Sequence, residues 1–147
     1  VFDGMAEALA KMDQPALADR FVTLEEALFP VRQGTAAALV KAAKGDQYGA
    51  LVDLRLIAGD SKRDDFTRLS AIDGLFQFNQ VDDAKAFTLE LVDRAEKEKD
   101  VELASEAVER LTRLLRIDPK RVDRAELRTR VEQLSRVLEA SQVEKKV

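Results

Sequence analysis

Apolar residues recur at steps of three and four along nearly the whole chain, and no stretch alternates for long enough to make the face of a strand. Steps of three and four fall on one side of a helix of 3.6 residues per turn, so this spacing confines the fold to amphipathic α-helices packed through their apolar stripes. The rest of the composition fits that constraint. The 147 residues are 46% apolar and 35% charged with three prolines, which suits helices with heavily solvated outer faces. The length is that of one ordinary domain, large enough to bury a core without a disulfide or metal.

Eight helical segments can be read. The first runs from about Phe2 to Met12, with Phe2, Met5, Leu9 and Met12 on one face, and Asp13 and Pro15 end it and begin the next. The second carries Leu17, Phe21, Leu24 and Leu28 and stops before Pro30. The third, alanine-rich from Thr35 to Ala43, closes at Gly45, and Asp46 opens a fourth through Leu51, Leu54 and Ile57 to Gly59. Asp64 or Asp65 caps a fifth, whose buried face is expected to be Phe66, Leu69, Ile72, Leu75 and Phe76. The sixth spans Val81 to about Lys97. A charged turn to Asp100 precedes the seventh, with Leu103, Ala107, Leu111 and Leu114, and the eighth runs from Pro119 to about Ala140. The organisation expected is a single all-helical domain over 1–147, irregular over 1–60, with repeat-like hairpins over 61–140 and a frayed tail over 141–147.

Sliding the chain against itself by 36 residues aligns Asp64 with Asp100, Ala71 with Ala107, Ile72 with Val108, Leu75 with Leu111, Phe78 with Leu114, Val81 with Ile117 and Asp82 with Asp118. A fainter echo pairs Ala36 with Ile72 and Leu39 with Leu75. A period in the thirties built from two helices is the pattern of an α-solenoid, in which each hairpin buries its apolar face against its neighbours. Ala107, Leu111, Leu114 and Pro119 match the spacing of the second helix of a tetratricopeptide repeat, while the tryptophan, glycine and tyrosine of its first helix are missing from Val81 to Lys97. The segment from Asp64 to Phe78, with Arg68, Ala71 and Leu75, looks equally like a HEAT-type helix. Residues 64–119 therefore resemble the broad helical-repeat class. The resemblance implies antiparallel hairpins stacked as a short α-solenoid and a role in holding other proteins, and an irregular helical bundle is the alternative.

The chain is poorly equipped for catalysis. With no Cys and no His it lacks thiol chemistry, thiolate metal sites, the commonest general base and the commonest transition-metal ligand. The acidic pairs Glu25–Glu26, Asp64–Asp65 and Asp82–Asp83 are adjacent residues pointing about 100° apart on a helix. Two of the pairs sit where helices begin, which makes capping the better account. The glycines around Lys44-Gly45-Asp46-Gln47-Tyr48-Gly49 lack the Gly-Lys-Ser/Thr ending and the preceding strand of a phosphate loop. Ser61, Ser70 and Ser105 have no imidazole to activate them. No catalytic, cofactor-binding or metal-binding residue is assigned, and no cofactor is expected.

Charge is the one uneven feature. The net charge is −4, from 24 basic and 28 acidic side chains, so no global field draws the molecule to nucleic acid or membrane. Between Ala107 and Arg136, however, nine basic residues face five acids, a local excess of +4 that leaves −8 elsewhere. Arg121, Arg124 and Arg128 share one face of the last helix, and guanidinium groups recognise phosphate and carboxylate well. Against this, Glu106–Arg110, Glu109–Arg113, Glu126–Arg130 and Glu132–Arg136 have the spacing of intrahelical ion pairs. Nucleic-acid binding also usually brings stacking aromatics, and none follows Phe87.

Three functions follow in order. The first is a non-catalytic interaction or assembly module whose protein partner meets Arg68, Phe78, Arg110, Arg113 and Arg116. The second is a nucleic-acid or anionic-ligand binding repeat using the arginine-rich final third, with Arg121, Arg124 and Arg128 added. The third is a homo-oligomer paired through the heptad-like seam Leu127, Val131, Leu134 and Leu138. No run of apolar residues is long enough to span a membrane, so a soluble protein is expected. A chain that begins with Val is expected to be a processed form or an excised fragment, which leaves the compartment open.

Overall fold

The computed structural model describes residues 35–117 and 120–145 and, singly, Ala8, Lys11, Ala16, Leu17 and Arg20. Among these the protein is all-α, with six helices and no strand. The first two expected segments, between Phe2 and Pro30, lie outside the described residues except at those single positions. The helices are α1 (Thr35–Ala43), α2 (Gln47–Gly59), α3 (Asp65–Gln77), α4 (Val81–Glu98), α5 (Val101–Leu115) and α6 (Arg124–Lys145). The chain divides into two compact units, Val1–Gln80 and Val81–Val147.

In the first unit α2 packs on both α1 and α3, and α1 also touches α3. The corner between α1 and α2 is built from consecutive residues. Gly45 takes the left-handed conformation (φ 96°) that lets Asp46 N–H reach back to the Lys41 carbonyl at 2.9 Å, a helix-ending bond to an otherwise orphaned carbonyl. Asp46 then starts α2 by accepting the Gly49 N–H at 2.8 Å. Asp64 does the same for α3, accepting from Thr67 N–H at 3.1 Å.

Small residues bring these helices close: Ala36, Ala38, Ala50, Ala58 and Ala71 are buried around Leu39, Leu54, Ile72 and Leu75. Gly74 sits at a close contact between helices, where a Cβ would lie 2.9 Å from a Leu54 methyl. Such a contact is too close for a carbon pair without repacking.

The second unit repeats the arrangement: α5 packs on α4 and α6, and α4 touches α6. At its first corner Lys99 holds the left-handed conformation (φ 52°), Asp100 N–H donates to the Ala95 carbonyl at 3.1 Å, and Asp100 accepts from Leu103 N–H at 3.1 Å. Asp64 and Asp100, aligned by the 36-residue register, thus perform the same capping task. Leu91, Val92, Leu103, Leu111, Leu114, Leu127 and Leu134 fill this core around the buried Ala84, Ala95, Ala104 and Ala107.

Four expectations change. The last helix begins at Arg124 rather than at Pro119, because Asp123 supplies the cap by accepting from Ala125 and Glu126 N–H at 3.0 and 3.2 Å. It continues to Lys145, past Ala140. Phe66, expected in the core, is 70% exposed. Repeated steps of three turn a position about 60° backward each time, so a row that starts at Phe66 and reaches Leu75 has crossed to the opposite side of α3. Finally, Leu127 and Leu134 are buried within the unit while Val131 and Leu138 are half-buried. The apolar seam of α6 is thus used inside the chain, against α5 and α4.

Candidate functional site

The expected partner residues fall in both units, Arg68 and Phe78 in the first and the other six arginines in the second. Arg68 is not on a surface. Only 2% exposed, its Nε donates to the Ala58 carbonyl at 2.9 Å, one of the C-terminal carbonyls of α2 that the helix itself leaves without a donor. The guanidinium thus sits at the negative end of the α2 dipole. Phe78 is half-buried at the end of α3 and lines a shallow depression of about 220 Å³ with Leu39, Ala42 and Ala43 of α1.

In the second unit Arg110 is nearly buried on α5. Its Nη1 donates to the Glu106 carbonyl at 3.1 Å and to the Glu106 carboxylate, forming one of the expected pairs. Arg124 is half-buried, and its Nη2 reaches the Ile117 carbonyl at 3.4 Å. Arg113, Arg116, Arg121 and Arg128 are exposed together with Lys120. They gather at the C-terminal end of α5, the following turn and the first turns of α6, where positive charge complements the α5 dipole. This rim is the largest concentration of exposed positive charge among the described residues.

The Glu126–Arg130 pair is replaced by a different arrangement. Arg130 reaches across to α4, pairing with Asp93 and, at 3.3 Å, with Glu96, while Glu126 accepts from Lys85 of α4 at 2.8 Å. Pairs between helices of one unit fix the approach of α4 and α6, which intrahelical pairs do not. A sequence spacing cannot distinguish the two uses of the same charge.

Sequence reasoning missed the apolar exposure of the first unit. Tyr48 (78% exposed) and Leu56 (67%) lie on α2 with half-buried Val52 between them, at the four-residue steps that form one ridge of a helix. Phe66 stands in the first turn of α3, joined to the last turn of α2 by the loop Asp60–Asp64. The available signal was the weak amphipathicity of α2, which carries apolar residues on both sides. Among the described residues no cluster of carboxylates is arranged to hold a metal, and no helix is long and apolar enough to cross a membrane. No protein-family model, no curated protein and no solved structure matches this chain.

Proposed function

We propose that this protein is a non-catalytic interaction module of the helical-repeat type, which holds another protein against the outer side of α2 and the start of α3. One observation carries the reading. The chain leaves Tyr48, Leu56 and Phe66 in water while enclosing the charged Arg68, the reverse of what burial alone favours, and exposed aromatic and aliphatic groups near one another commonly mark a protein interface. The recurrence of one helix packing in each unit, first to second, second to third and first to third among the described residues, supports the repeat reading.

A photoreactive phenylalanine at position 66, introduced into the full chain and irradiated in source-cell lysate, tests it. A single protein captured from position 66, absent from a control at Glu109 and lost with Tyr48→Ser, is the expected result. No capture, or capture equal to the control, rejects the reading.

A second reading rests on the basic rim of Arg113, Arg116, Lys120, Arg121 and Arg128, which would take an anionic partner such as a nucleic acid. Binding through that rim falls steeply with added salt and is insensitive to Phe66.

A further inference from the structure

Beyond any protein partner, the second unit carries a cleft of about 300 Å³ whose lining points to a small ligand. Its volume of about 310 Å³ lies at the lower end of the range for small-molecule sites. Val101 of α5 with Val137 and Ala140 of α6 give it an apolar wall, and Lys99, Arg136, Ser141 and Glu96 supply its polar groups. The two cations have no carboxylate partner among the described residues, although Arg136 has Glu132 one turn before it. Glu96 is the one acid of the lining among the described residues, and one of its carboxylate oxygens accepts at 3.3 Å from Arg130, a guanidinium that it shares with Asp93. Its other oxygen is shut away from solvent without a hydrogen-bond partner. The lining thus sets two cations, Lys99 and Arg136, against one partly compensated carboxylate, an excess of positive charge beside an apolar wall.

The backbone gives an independent indication. Among the described residues three helices end on a left-handed residue: Gly45, Asn79 and Lys99. The first two are the residue types that tolerate this conformation, and lysine is not. Glycine would make the same corner without the steric cost, yet the position that lines the cleft holds a long cation. Strain of this kind concentrates at binding sites, where the side chain serves a purpose that the fold does not need.

We infer that this cleft binds a small aliphatic monocarboxylate, its carboxylate between Lys99 and Arg136 and its hydrocarbon against Val101, Val137 and Ala140. The test is titration of the full chain with hexanoate, hexylamine and inorganic phosphate, read by the methyl NMR signals of Val101, Val137 and Ala140. Hexanoate should shift these signals saturably, and the other two probes should not. Lys99→Gly and Arg136→Gln should each weaken hexanoate about tenfold, the loss expected for one charge-assisted hydrogen bond. Lys99→Gly should meanwhile melt at or above the temperature of the parent, because it relieves the corner. No saturable shift with hexanoate, an equal response to hexylamine or phosphate, or an affinity that survives either substitution overturns the inference, as does a Lys99→Gly protein that melts lower than the parent.

Discussion

The two units solve one packing problem with different materials. Among the described residues both set three helices in sequence, and both turn the first of these corners with a left-handed residue followed by a capping aspartate, Gly45-Asp46 in one and Lys99-Asp100 in the other. Both bury alanines among leucines, and the first unit adds Gly74 at a close contact of α3 with Leu54 of α2 and a buried arginine that closes the end of α2. The second ties its first and third helices, α4 and α6, with Lys85–Glu126 and Arg130–Asp93/Glu96. A residue without a side chain permits a short interhelical distance, whereas long charged side chains span helices that touch less closely. The difference teaches that a common backbone corner does not fix what stabilises the helices around it.

The largest expected effect is in the leucine core. Leu134 is fully buried on α6, so Leu134→Asp places a carboxylate in an apolar site with no partner, at a cost of at least about 4 kcal/mol. Hydrogen exchange should then show amides of α4–α6 losing protection while those of Leu54, Ile72 and Leu75 in the first unit keep theirs. Simultaneous loss in both would make the two units one cooperative body and remove the basis for the comparison.

The mirror experiment acts on the first unit. Arg68→Ala removes a buried side chain and leaves a cavity beside the end of α2, which should cost about 3 kcal/mol by urea denaturation. Arg68→Met refills most of the space but not the bond to the Ala58 carbonyl and should recover roughly half of that. If Arg68→Met is as stable as the parent, the arginine is packing alone and its capping role is wrong.

Arg68 and Phe66 also show where sequence reasoning succeeded and where it could not. The helix from Asp65 to Gln77 and its cap at Asp64 were legible, because capping and periodicity are local. So were Leu69, Ile72 and Leu75 as core. The exchange of places between Phe66 and Arg68 was not, since the carbonyl that Arg68 serves belongs to another helix and no spacing within α3 reveals it. The same holds for Arg130, whose partners Asp93 and Glu96 lie more than 30 positions earlier in the chain. Of the candidate site, the basic excess before Arg136 was readable as composition. Which arginines stay exposed was decided by the cap at Asp123 and by the contacts of Arg110 and Arg124.

The smallest effect concerns a charge pair of the first unit and is read by pH. Lys41 of α1 lies 2.6 Å from Asp53 of α2. The hydrogen bond to that carboxylate, and then its charge, raise the lysine above its ordinary value of 10.5 against a smaller opposing effect of desolvation. A raised value means that the folded chain holds this proton more tightly than the unfolded chain. The pair therefore stabilises the first unit from neutral pH up to the ordinary lysine value, and the contribution is lost as pH climbs through the higher folded value. Asp53→Asn should return the Lys41 side-chain titration, followed by NMR, toward 10.5. It should also lower the melting temperature slightly at neutral pH and not at all above the lysine range, because the pair is exposed and weak. A Lys41 titration unmoved by Asp53→Asn would show that the α1–α2 pair does not form in solution, leaving close packing as the main tie between those two helices.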